Sequence, residues 1–216
     1  PSVQPFAPFA PQFQYTQSVI GGSAYFDGTG DYLTLPNNAT TTIGSSDYTF
    51  EGWFYTPAVS ALQTLYTYGS GSGGFRVFFN LTNLWFLNGA TTIFQPTNVI
   101  RANEWIHVAL VRSGSGTNNT AVWINGTRAA QQTNTTSFVA APPQLGMEST
   151  SSNPYTGYMS SVRLVKSALY NPANASIPIP TAPFTNSSSP AFLLNFTNAG
   201  IIDGTMDNVL ETVGNA

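Results

Sequence analysis

"YTFEGWFYT", residues 48–56, decides how this chain is read. In an extended strand successive side chains alternate between faces. Phe50 and Phe54 then share one face, and Glu51, Trp53 and Tyr55 share the other. One face suits a core, and the opposite face carries two aromatic rings and a carboxylate. The same alternation recurs on both sides of this stretch. "SAYFD" and "DYLTLP" precede it; "QTLYTYG", "GFRVFFN", "NLWFLN" and "ATTIFQ" follow. "EWIHVALVRSG" (104–114) is a further strong strand. "TAVWI" and "TRAAQQ" meet at Asn125-Gly126, a pair that favours a type I′ hairpin. "YTGYMSSVRLVK", "AFLLNF" and "NVLETV" complete the set. No segment keeps a 3.6-residue apolar period over ten residues, and at most one helical turn fits near "SALYNPANAS". Many short strands separated by turns predict an all-β fold, a two-sheet antiparallel sandwich or jelly roll.

Composition narrows the function. The chain has 216 residues, enough for one domain with a sizeable core, and 42% of them are hydrophobic. Charged residues make up only 7%, against about 25% in an average soluble domain. Lys166 is the single lysine, and the net charge is −3. Nucleic acid needs clustered cations, so it is not an expected partner. No apolar run reaches the ~18 residues of a membrane span, so membrane insertion is not expected. The neutral polar surface suits an extracellular or virion location. Cysteine is absent, so disulfides say nothing about compartment. Asn38, Asn80, Asn118, Asn125, Asn134, Asn174, Asn186 and Asn195 each open an N-x-S/T sequon, which makes them candidate N-glycosylation sites. The alternative is that the host attaches nothing.

Three parts follow one another. Residues 1–20 hold four prolines among Phe6, Phe9, Phe13 and Tyr15, which predicts an extended arm that docks on its own domain or on a neighbour. Residues 21–170 carry the strand pattern. Residues 171–216 form a proline-rich crossover, a closing strand and a tail, belonging to the same domain or to a joint between repeats. The chain opens on Pro1, so it reads as a mature product, an excised piece or part of a larger polypeptide.

Catalytic chemistry is thinly supplied. His107 is the only histidine, and it sits within a strand, where a partly buried imidazole bonded to backbone is expected. None of the four glutamates has an acidic neighbour on its own strand, so a glycosidase pair is missing. No catalytic residue is expected. Glu51, Trp53 and Tyr55, with Trp85 and Tyr158, are candidate glycan contacts, since aromatic rings stack on sugar rings while a carboxylate accepts hydroxyl hydrogen bonds. The alternative is that these rings pack beneath a neighbouring segment. Asp27 and Asp31 in "YFDGTGDYLTLP" fit either a hairpin turn or part of a structural calcium site, the only cofactor that enters the reading.

Taken together, "GGSAYFDGTGDYLTLP", "DYTFEGWFY", "ANEWIHVALVRSGSG", "TAVWINGTRAA" and "LGMESTSSNPYTGYMSSVRLVKSALYN" resemble the laminin-G-like branch of concanavalin A-like jelly rolls across residues 21–170. The flanking "VQPFAPFAP" and "PTAPFT" look like joints between tandem copies, as in phage virion and bacterial surface proteins. The resemblance implies a sandwich of roughly 12–14 strands. It further implies binding or scaffolding rather than catalysis, with a sugar ligand or a rim calcium in some relatives. The expected function is a non-enzymatic module of a virion or extracellular fibre. It would self-associate through the arm and adhere to surface glycans. A monomeric carbohydrate-binding domain and, further off, a glycan-cleaving enzyme are the alternatives.

Overall fold

The alternation of "YTFEGWFYT" becomes β3 (Tyr48–Tyr55), the third of fourteen strands in the described part of the chain. The structure, a computed structural model, describes residues 22–60, 62–69, 73–148, 152–196, 203–205, 208 and 211–213. The arm residues Phe6, Phe9, Phe13 and Tyr15 lie outside them. Before β3 come β1 (Ala24–Asp27) and β2 (Tyr32–Thr34). After it come β4 (Gln63–Tyr68), β5 (Phe75–Asn80), β6 (Asn83–Asn88), β7 (Thr91–Phe94), β8 (Trp105–Arg112), β9 (Thr120–Ile124), β10 (Thr127–Gln132) and β11 (Pro143–Leu145). The last three are β12 (Thr156–Val165), β13 (Pro190–Leu194) and β14 (Glu211–Val213). No helix forms among the described residues, and the stretch around "SALYNPANAS" is turn and bend.

Two antiparallel seven-stranded sheets face each other. The first runs β1-β12-β3-β8-β9-β10, with β13 also on β12; the second runs β14-β2-β11-β4-β5-β6-β7. The all-β jelly-roll sandwich read from the sequence is the fold observed. Phe50 meets Tyr66 across the interior, rings stacked at 4.9 Å, and Phe54 meets Phe79 edge-on at 6.0 Å. All four side chains are fully or almost fully buried. Burying each such ring stabilises the sandwich by roughly 1.5–3 kcal/mol, so this inter-sheet layer dominates the core.

The stretch 25–36 is not a hairpin. β1 pairs with β12 in the first sheet, whereas β2 pairs with β11 and β14 in the second. The segment between them turns a corner of the sandwich, with Gly28 and Gly30 at φ +84° and +85°. At such dihedrals glycine avoids the strain a Cβ would bring. Local alternation specifies which way side chains point; it does not specify which strand is the partner.

β12 carries a second irregularity. Its first half pairs with β1 and its second half with β13, both along the same edge. The two strands therefore lie end to end, and Gly22 N–H donates to the Asn195 carbonyl at 3.0 Å where they meet. Opposite this seam, Ser161 at φ +47° interrupts the register between Ser160 and Arg163. The Ser160 hydroxyl donates to the Gly22 carbonyl at 2.6 Å. Asp203 secures the far side, its carboxylate accepting Leu193 N–H at 2.9 Å and Asn208 Nδ2 at 2.7 Å.

β8 and β9 are buried on both faces, which is why "WIHVALVR" and "TAVWI" read as nearly continuous apolar runs. Their outer side chains Ala109, Val111, Ala121 and Trp123 lie beneath the crossover after β12, packed against Ile177 and Tyr170. Trp123 Nε1 donates to the Asn174 carbonyl at 3.1 Å. The crossover thus covers one half of the outer face of the first sheet.

Candidate functional site

The other half of that face, beside the crossover, carries a row of aromatic side chains. Strand pairing places Tyr25 beside Tyr158, Tyr158 beside Tyr55, and Tyr55 beside Trp105. Their ring centroids are 4.9, 5.9 and 5.7 Å apart in turn. Four adjacent strands, β1, β12, β3 and β8, each contribute one ring. Tyr25 is 47% exposed and the other three are half-buried. The Tyr55 hydroxyl donates to Asn103 Oδ1 at 3.3 Å, and the exposed Glu104 precedes Trp105. Burial raises the Tyr158 phenol above its ordinary value, as do the neighbouring Tyr25 and Tyr55 phenols. Its hydroxyl stays a neutral hydrogen-bonding group at physiological pH.

Glu51 shares the face of Trp53 and Tyr55, as the alternation requires, yet it is no ligand contact. It is fully buried at the margin of the crossover. Arg163 approaches one carboxylate oxygen through Nε at 2.9 Å and Nη2 at 2.6 Å. The Tyr170 hydroxyl donates to the other at 3.1 Å, and His107 Nε2 lies 3.3 Å from it. Burial alone would push the Glu51 carboxyl up. The facing His107 imidazole and the Arg163 guanidinium outweigh it and hold the carboxyl below its usual value. Arg163 in turn lies over the Phe184 ring at 4.0 Å. The cluster fastens the crossover to the sheet. His107 is fully buried rather than partly so, and its side chain meets Glu51 rather than a backbone group. Trp53 is half-buried beside His107, with centroids 5.3 Å apart, at the margin of the crossover.

Trp85 does not join the row. It pairs with Phe78 on the outer face of the second sheet, on the opposite side of the sandwich. Near it, Arg76 lies over the Phe78 ring at 4.9 Å and ion-pairs with Glu148 at 2.5 Å. Of the five glycan candidates, only Tyr55 and Tyr158 stand in this row, with Trp53 at its margin. Tyr25 and Trp105 complete the array and were missed, although each alternates with a core neighbour, Phe26 or Ile106, in the same way as Tyr55 alternates with Phe54.

The carboxylates of the first corner are turned to local bonds. Asp31 is buried, and its Oδ2 accepts Asp27 N–H at 3.0 Å. Asp27 Oδ1 accepts Thr29 N–H at 2.6 Å. Calcium takes six to eight oxygens. Among the described residues no group of three or more His, Cys, Asp or Glu side chains could hold a metal ion. The side-chain donors described at this corner are the carboxylates of Asp27 and Asp31, each already accepting a backbone N–H.

The sequons differ in access. Asn118, Asn125, Asn174 and Asn186 are exposed, while Asn38, Asn80 and Asn195 are half-buried. Asn134 is 5% exposed, and its Oδ1 accepts Thr136 N–H at 3.0 Å, so a glycan has no room there in the folded domain.

Comparison with known proteins extends this geometry. No curated protein matches the chain. Among solved structures, a Bacteroides ovatus protein described as a candidate carbohydrate binder superposes with a TM-score of 0.68 at 17% identity. That match covers 91% of this chain, which spans 59% of the other protein's length. The CBM40 domain of a Ruminococcus gnavus IT-sialidase, bound to α2,3-sialyllactose, superposes at 0.56 with 14% identity, covering 72% of this chain and 96% of that domain. Domain 4 of a GH43 extracellular arabinanase from Geobacillus stearothermophilus, in complex with arabinotriose, superposes at 0.54 with 18% identity, covering 78% and 82%. At these identities the likeness is one of fold. A family model matches residues 27–172, which hold β2 through β12 of the two sheets. The chain belongs to the concanavalin A-like lectin/glucanases superfamily.

Proposed function

We propose that the domain is a non-catalytic carbohydrate-binding module, displayed on an extracellular or virion surface. The aromatic row Tyr25–Tyr158–Tyr55–Trp105 is the observation that carries this reading. Strands in a sheet lie about 4.8 Å apart, so four rings on adjacent strands span the length of a short oligosaccharide. Asn103 and Glu104 at its end supply polar groups for hydroxyls, the mixture of apolar surface and few polar contacts expected of a ligand site. Glu51, the acid closest in sequence to Tyr55, is consumed by Arg163, which supports binding without bond cleavage. A shallow row of this kind binds each chain weakly, and many copies on one surface raise the avidity.

In the fuller form of this reading the module is a repeating unit of a fibre, joined to its neighbour through Phe6, Phe9, Phe13 and Tyr15. One position supports it: Gly22, to which those residues lead, sits on β12 beside β1, whose outer edge has no strand partner among the described residues. An open edge of this kind accepts an added strand.

A glycan array probed with the full chain tests the binding reading. Tyr55→Ala and Trp105→Ala should each lower the signal for the best glycan by about tenfold or more with circular dichroism unchanged. Full binding by the folded double variant would overturn it.

A further inference from the structure

A polar cavity of about 430 Å³ lies at the opposite edge of the first sheet from Tyr25, where the loop between β8 and β9, the edge strand β10 and the crossover converge. Ser113, Thr117, Asn118, Arg128, Gln131 and Asn171 line it. Its volume falls in the range of small-ligand sites. The frame is fixed by bonds that do not use the lining groups' full capacity. Asp47 accepts Gly114 N–H at 2.6 Å, Asn118 N–H donates to Thr133 Oγ1 at 2.9 Å, and Gln131 Nε2 donates to the Asn118 carbonyl at 3.0 Å.

Arg128 is the single ionised group in the lining. Among the described residues its hydrogen bonds all use Nη1, which reaches the carbonyls of Pro172 at 3.0 Å and Ala173 at 2.8 Å, and that of Asn174 at 3.4 Å. Nε and Nη2, the side-on pair of the guanidinium, remain. That pair matches a carboxylate bidentately. No carboxylate of the protein lines the cavity to compete for it. Around it stand the amides of Asn118, Asn171 and Gln131 and the hydroxyls of Ser113 and Thr117, which suit a ligand rich in hydroxyl groups. A bare anion would leave most of those groups unused.

We propose that this cavity is a second binding site, for a carboxylated sugar residue, with Arg128 taking the carboxylate and the amides taking the hydroxyls. It is independent of the aromatic row. The full chain is titrated by NMR with galacturonate and N-acetylneuraminate, each beside a neutral sugar of the same size, and with inorganic phosphate. At least one acidic sugar should bind at least tenfold more tightly than its neutral counterpart and shift the side-chain amide signals of Gln131 and Asn171. Arg128→Gln should remove this preference. Because Arg128 also holds the crossover, Thr117→Trp provides a second variant, which fills the cavity from the loop and should abolish the same signals. Tyr55→Ala should leave them unchanged, so failure of the aromatic row is distinguishable. The proposal is overturned if neither acidic sugar outbinds its neutral partner, if phosphate competes equally well, or if folded Thr117→Trp binds as before.

Discussion

Glu51 and Arg163 form a two-point ion pair between adjacent strands β3 and β12, with 2.9 and 2.6 Å contacts to one oxygen. In a chain with six cationic and nine acidic residues, sequestering one of each is a large commitment of scarce charge. Breaking one partner leaves the other buried and uncompensated, which typically costs about 3–5 kcal/mol. Glu51→Ala should lower the urea midpoint accordingly. The double variant Glu51→Leu, Arg163→Met should recover most of that loss.

The same carboxyl predicts a pH dependence. Its folded-state value lies below the ordinary carboxylate value of about 4.3. Between the two values the unfolded chain binds a proton that the folded chain does not, so stability rises with pH there. The contribution is complete above about pH 4.3 and is lost as pH falls through the folded value. Urea midpoints measured from pH 6 downward should fall in acid, and Glu51→Gln should flatten that fall. Parallel curves for the two proteins would remove Glu51 as the cause.

Gly157 permits the aromatic row to close. It sits at φ +140°, and a Cβ there would lie 1.9 Å from the Tyr55 carbonyl oxygen. Gly157→Ala should therefore cost at least about 2 kcal/mol through strain and forced strand separation. It should also weaken glycan binding, since Tyr55 and Tyr158 flank the contact. Thermal unfolding and the array together check both effects.

Trp105 ends the row and provides an optical reporter. Glycan binding should shift the emission of the native protein, and Trp105→Phe should remove most of that shift while leaving the ring in place. Stacking on phenylalanine should retain part of the affinity.

Production in a glycosylating host tests the sequons. Peptide mapping should find Asn134 unmodified if the domain folds before transfer. Occupancy, where present, should fall on Asn118, Asn125, Asn174 and Asn186, the four exposed asparagines.

Much of the fold was legible because period-two alternation is a local property. Phe50 and Phe54 point inward and Tyr55 outward, and Asn125-Gly126 forms the expected turn with both residues at positive φ. What the sequence withheld is long-range. Arg163 lies 112 positions from Glu51, and no local pattern announces that pairing. The crossover that buries Glu51 and Trp123 is a proline-rich coil with no period, so its path over β8 and β9 could not be read. The aromatic row depends on the register of four strands, three of whose pairings join distant segments. Trp85, equally aromatic and alternating, went to the other face because its strand belongs to the other sheet.

The meeting of Gly22 and Asn195 has a mechanical meaning. A pull applied at those two residues enters and leaves the domain at nearly one point. Such a load first meets the Gly22–Asn195 and Ser160–Gly22 hydrogen bonds and the bond from Asn195 Nδ2 to the Phe184 carbonyl, and then opens β1 and β13 from β12 at their adjoining ends. Any pull transmitted from beyond Val213 must first peel β14 from β2 and release Asp203 from β13.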